Sequence, residues 1–137
     1  MRYNVKNILF VCVENAGRSQ MAEAFANYYG KGKLTAQSAG IKLADKVNPV
    51  AVEAMKEKSI DISKNKPKML TQKMAGEADL IITMGCGAAE ICPGPFFRTT
   101  VDWALEDPKG KPIEKVRKIR DEIERRVKEL IAKKESA

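Results

Sequence analysis

Cys12 and Arg18 bracket the run Cys12-Val-Glu-Asn-Ala-Gly-Arg-Ser19, a spacing suited to holding and attacking a tetrahedral oxyanion. The intervening residues Val13, Glu14, Asn15, Ala16 and Gly17 let the backbone curl until successive N–H groups point into one concavity. A helix beginning beyond them would add its positive end. The planar guanidinium of Arg18 can then grip two oxygens of the anion. Gly17 lets the backbone approach closely, and Asn15 suits a left-handed conformation. The same positive surroundings favour the thiolate of Cys12, and Ser19 is placed to donate a hydrogen bond to it. No general base is required. That matters because the chain contains no histidine, which excludes Ser-His-Asp and Cys-His machinery and every histidine metal site.

Such a loop works only if a strand ends at Cys12 and a helix starts near Arg18. Ile8-Leu-Phe-Val11 is a short apolar run of the kind covered on both sheet faces. Met21, Ala22, Phe25 and Tyr28 or Tyr29 then recur at helical spacing, and Gly30 is a natural stop. Leu34 to Ser38 reads as a second strand, ended by Gly40. Asn48 caps a helix that has Pro49 at its first position, with Val50, Ala51, Ala54 and Met55 as its inner stripe. Asp79 to Met84 is the clearest further strand, and a weaker one covers Arg98 to Val101. The last helix starts near Pro112, where Ile113, Val116, Ile119, Ile123, Val127, Leu130 and Ile131 form one stripe. Strands alternating with helices predict an α/β fold: a small three-layer α/β/α domain over residues 1–137, with a four-stranded, mostly parallel sheet. Sites in such sheets form at the carboxyl ends of strands.

The length of 137 residues suits one domain, and 44% hydrophobic with 31% charged residues is the composition of a globular protein. No apolar run approaches a membrane span, and the start does not read as a signal peptide, so a cytoplasmic monomer with free thiols is expected. The net charge of +7 raises the possibility of nucleic acid binding. Between Pro108 and Ala137, however, eleven basic residues are interleaved with six acids. Pairs such as Glu114/Lys118, Asp121/Arg125, Glu122/Arg126 and Glu129/Lys133 sit four apart, as on a solvated helix face. No nucleic acid partner is expected, and with three cysteines and no histidine neither a metal nor any other cofactor is.

The run Phe10-Val-Cys12-Val-Glu-Asn-Ala-Gly-Arg18-Ser-Gln-Met-Ala-Glu23 resembles the active-site loop of thioredoxin-coupled arsenate reductases, relatives of the low-molecular-weight protein tyrosine phosphatases. The likeness continues through Ser38-Ala-Gly40, Asn48-Pro49, Ala54-Met55, Ile60 to Ser63, Asp79 to Cys86, Asp102-Trp103 and Glu106-Asp-Pro-Lys-Gly110. It implies a phosphatase-type anion loop after the first strand, with Cys12 as nucleophile and Arg18 and the loop amides as the anion clamp. Asp107 would be the general acid that protonates the departing oxygen, and Asn15, Ser19 and Ser38 would brace the loop.

A reductase and a phosphatase share those parts, and the resemblance separates them by two further cysteines. Cys86 would attack the Cys12 adduct, releasing arsenite and leaving a Cys12–Cys86 disulfide. Cys92 would then move the disulfide to Cys86–Cys92, where thioredoxin or a small thiol reduces it. The resemblance therefore implies an arsenate reductase. The alternative enzyme is a low-molecular-weight tyrosine phosphatase acting on aryl phosphates, although Asp107-Pro-Lys-Gly lacks the aromatic neighbours expected there. The non-enzyme alternative is an anion-binding or nucleic-acid-binding protein using the basic last helix. Some reductases of this family place an aspartate near position 68 in a monovalent-cation site. Lys68 would put an ammonium in that place, and no bound potassium is expected.

Overall fold

The computed structural model describes residues 6–84 and 100–136. Four strands form one sheet in the order β2-β1-β3-β4: β1 (Asn7–Cys12), β2 (Thr35–Gly40), β3 (Leu80–Thr83) and β4 (Thr100–Asp102). Each neighbouring pair is parallel, so "mostly parallel" becomes wholly parallel among the described strands. Helices α1 (Arg18–Tyr29), α2 (Pro49–Lys56) and α4 (Ile113–Ser136) cover one face. The short α3 (Gln72–Glu77) lies against the other, over Leu9, Val11, Ala39 and Ile81. The expected three-layer α/β/α arrangement is present.

The apolar run in β1 is buried because both faces are covered: Ile8 and Phe10 belong to the larger core, Leu9 and Val11 to the smaller. Alternate side chains point to opposite faces, so a strand with helices on both sides must be apolar throughout. The α4 stripe is equally direct, with Val116, Ile119, Ile123, Val127 and Ile131 all buried. Asn48 caps α2 as expected, its Oδ1 accepting from Val50 N at 2.8 Å with Pro49 at the first position.

Two elements differ from the sequence reading. Strand β2 runs to Gly40 rather than ending at Ser38, pairing Gly40 with Cys12. Helix α3 was not foreseen; it starts where Thr71 Oγ1 accepts from Met74 N at 3.1 Å. Of the weak strand expected over Arg98 to Val101, only Thr100 and Val101 fall within β4, and positions 98 and 99 lie outside the described residues.

Central β1 connects to β2 on one side, while β3 returns on the other. That reversal of direction opens a crevice at the carboxyl ends of the strands, and Cys12 is the last residue of β1. No helix among the described residues is long and apolar enough to cross a membrane.

Candidate active site

The loop from Val13 to Gly17 is held from outside by its carbonyls. Val13 O accepts from Ile41 N and Lys42 N, each at 2.9 Å; Glu14 O accepts from Ala44 N at 3.2 Å, and Ala16 O from Asn48 N at 2.7 Å. Trans peptide units place C=O and N–H on opposite sides, so carbonyls bonded outward turn the N–H groups of the same units inward. Asn15 N–H donates to Cys12 Sγ at 3.2 Å from that inner side. Asn15 takes the left-handed conformation (φ 54°) foreseen for it and is fully buried. Gly17 caps α1 without a side-chain hydrogen bond, leaving the first-turn amides to a ligand.

The orientation of the Asn15 amide follows from its partners. Asn15 Oδ1 accepts from Lys68 N at 2.8 Å and from Gln20 Nε2 at 3.0 Å, which fixes the amide orientation. Asn15 Nδ2 therefore donates to Ser19 Oγ, at 2.7 Å. Ser19 Oγ also lies 2.7 Å from Cys12 Sγ, placed to give its hydrogen to the sulfur. Both side chains are buried.

Arg18 is buried as well, and its Nη1 donates to Met84 O and to Leu105 O (2.9 Å for the latter). Those carbonyls hold one corner of the fork. Nη2 instead faces Asp107 Oδ2 at 3.9 Å. Asp107 is more than half exposed, on a turn closed by Lys111 N donating to Pro108 O at 3.0 Å. Gly110 supplies the positive φ (73°) that this turn needs. The segment reaching Asp107 is anchored by Trp103, whose N–H donates to Thr83 O at 2.8 Å and whose ring lies 5.8 Å from that of Phe10.

Cys12, Glu14, Arg18, Asn48, Asp107 and Lys109 line a cavity of about 340 Å³, and no aromatic ring lines it among the described residues. Cys12, the loop from Val13 to Ser19, and Asp107 are thus brought together. Ser38 is placed differently: its hydroxyl donates to Glu23 Oε1 at 2.8 Å, so it reaches α1 rather than the loop. Lys68 Nζ meets the same Glu23 oxygen at 3.2 Å, an ammonium beside Ser38 and behind the loop. Cys86 and Cys92 lie outside the described residues.

Sequence reasoning gave no role to Gln20, which is fully buried and donates to Asn15 Oδ1, Asn15 O and Lys66 O. Arg18 and Ser19 before it are polar as well, so nothing in the local sequence set Gln20 apart. The Glu14–Lys109 contact, at 3.0 Å, carried no signal in the sequence, because its partners are 95 positions apart.

Comparison with known proteins places this geometry in context. The description "Low molecular weight phosphotyrosine protein phosphatase" matches residues 7–136. An arsenate reductase of Bacillus cereus (strain 03BB102) is 40% identical over 126 residues, 91% of this chain and 93% of that protein. A glutaredoxin arsenate reductase of Synechocystis sp. is 37% identical over 131 residues, 94% of this chain and 98% of that protein. A solved arsenate reductase in the phosphate-binding state superimposes with a TM-score of 0.83 at 38% identity, covering 93% of this chain and 98% of its own. A cysteine at the end of the central strand, an arginine opening the next helix and a match from end to end give one conclusion: the chain belongs to the low molecular weight phosphotyrosine protein phosphatase family.

Proposed function

We propose that this protein is an arsenate reductase, converting arsenate to arsenite in the cytoplasm as a monomer that draws its electrons from a thiol reductant. The observation that carries the first step is the hydrogen-bond chain from Lys68 N–H through Asn15 and Ser19 to Cys12 Sγ. It presents a thiolate to an anion that the loop amides and Arg18 would hold. The relatives named arsenate reductases, at 40% and 37% identity, support reduction as the outcome. A cavity with no aromatic ring among its described lining residues suits a small inorganic oxyanion better than an aryl ester.

In the first step Cys12 attacks arsenic and an As–O bond breaks. Asp107 gives its proton to the departing oxygen, which leaves as water. Cys86 then attacks Cys12 Sγ, forming an S–S bond while the S–As electron pair passes to arsenic. Arsenic thereby falls from the +5 to the +3 state and leaves as arsenite. Cys92 attacks Cys86, freeing the Cys12 thiolate, and thioredoxin or a small thiol such as a glutaredoxin-coupled one reduces the remaining disulfide. Arg18 has its Nη1 corner committed to backbone carbonyls, so it meets the anion without first reorganising.

The test is arsenite production from arsenate with thioredoxin and its reductase, or with glutathione and glutaredoxin, beside hydrolysis of aryl phosphates. Arsenite formed by the native chain and lost in Cys12→Ser is the expected result. Brisk aryl phosphate hydrolysis without arsenite would overturn the reductase reading in favour of the phosphatase.

A further inference from the structure

Resting on the oxyanion site just described, we propose that Glu14 and Lys109 form a latch that positions Asp107 over the anion loop and masks the Glu14 carboxylate at the mouth of the cavity. Lys109 Nζ lies 3.0 Å from Glu14 Oε2, joining the anion loop to the turn that carries the acid. Both residues line the cavity together with Cys12 and Asp107.

Each end of this link is tied to something rigid. On the loop side, Glu14 O accepts from Ala44 N at 3.2 Å, so its backbone cannot follow the turn if the turn lifts. On the other side, Lys109 N donates to Asp107 Oδ1 at 3.0 Å, so the acid's own carboxylate is oriented by the backbone of the latch residue. Between them Pro108 sits directly on Gly17, where an added Cβ would fall 2.8 Å from Pro108 Cγ. The turn is therefore seated on the loop at close range, and the ion pair is its outermost fastening. The Glu14 carboxylate raises the Lys109 pKa by hydrogen bonding and charge.

The pair also answers an electrostatic problem. A carboxylate on the wall of an anion site repels the anion that must enter. Paired with Lys109, Glu14 contributes little net charge at the mouth; unpaired, it opposes binding. The two positions therefore differ in what their loss does. Removing Lys109 releases the turn and leaves an unpaired carboxylate at the mouth, whereas removing the Glu14 charge releases the turn and leaves an ammonium that does not oppose an anion. Lys109 and Glu14 are positioning residues, since they act through Asp107 and through the field at the mouth.

The experiment uses the full chain with Lys109→Ala, Glu14→Gln and the exchanged pair Glu14→Lys/Lys109→Glu. Affinity for inorganic phosphate is read without turnover, from protection of the Cys12 peptide against iodoacetamide. Lys109→Ala should weaken phosphate binding about three-fold, an effect that shrinks in high salt, while Glu14→Gln should not weaken it. Both single variants should lower kcat roughly ten-fold through a misplaced acid, and the exchanged pair should recover most of that loss. Equal anion affinity in the native chain and Lys109→Ala, or an exchanged pair as slow as the single variants, overturns the latch. A native chain that makes no arsenite sinks the reductase reading instead, and the protection assay still decides the latch.

Discussion

Asn15 hands a hydrogen bond to Ser19 through an amide that has no alternative orientation, because Lys68 and Gln20 both donate to its oxygen. Ser19 Oγ stands 2.7 Å from Cys12 Sγ, and a role as donor to the nucleophile is testable. Ser19→Ala deletes a buried hydrogen bond to the attacking sulfur, which is worth roughly ten- to hundred-fold in rate when lost. We expect kcat for arsenite formation to fall in that range, with the KM for arsenate little changed, because Arg18 and the loop amides remain. A variant with native kcat would mean that the serine only fills space. The loop residues themselves were legible in the sequence, since Cys12, Asn15, Gly17, Arg18 and Ser19 act on one another across a single short turn. Gln20 was not legible in the same way. Its partners Asn65 and Lys66 lie 45 and 46 positions away and become neighbours only through the fold.

Helices α2 and α4 are joined by an ion-pair cluster that responds to pH. Glu57, just past the end of α2, accepts from Arg117 and from Arg120, at 2.7 Å in each closest contact. Hydrogen bonds from those two arginines lower its pKa from 4.5 to about 2. A carboxyl with a depressed folded-state value stabilises the fold above its unfolded value, and that stabilisation is lost as pH falls through the folded value. Glu57→Gln should therefore unfold at lower urea concentration than the native chain at pH 7. The gap should begin to close below about pH 4.5 and vanish toward pH 2, a window set by the ordinary and lowered values of Glu57. Denaturation midpoints across that range check it, and a gap independent of pH would assign the effect to packing.

Elements differ in how plainly they are written. Helix α4 declares itself by a stripe repeated over many turns, and Asn48-Pro49 marks the start of α2. Helix α3 has six residues, a glycine inside it and only Ala75 buried, which is too short for a period to show. The end of β2 was hidden for another reason. Ser38, Ala39 and Gly40 are poor strand formers, yet a Cβ at Gly40 would stand 2.8 Å from Val13 O and 2.9 Å from Asn15 N. The strand closes on glycine because the anion loop presses against it, a tertiary demand that local propensity does not carry.

Across the whole molecule, the basic charge is spent on structure more than the spacing of charges alone suggested. The expected Glu122/Arg126 pair forms at 2.7 Å, but Arg125 turns to Glu122 and Glu129, and Asp121 pairs with Arg120. Arg117 and Arg120 face α2, so the last helix offers no continuous row of free cations along its described face. At the carboxyl ends of the sheet, phosphoryl transfer and arsenate reduction would begin identically. They diverge only when electrons are needed. Two must reach arsenic, and Cys12 alone holds one thiol, so a second thiol has to close a disulfide with it. On the proposed path, Cys92→Ser leaves Cys86 able to attack Cys12 but gives the disulfide nowhere to move on. We expect one arsenite per chain and then arrest, with Cys12 and Cys86 linked in the arrested protein. Aryl phosphate hydrolysis, if the native chain has any, should be unaffected, because it needs no second thiol. Quantifying arsenite per chain and mapping the disulfide by mass spectrometry reads both outcomes. Continuous turnover by Cys92→Ser with thioredoxin would remove Cys92 from the path, and continuous turnover with glutathione alone would assign its task to the small thiol.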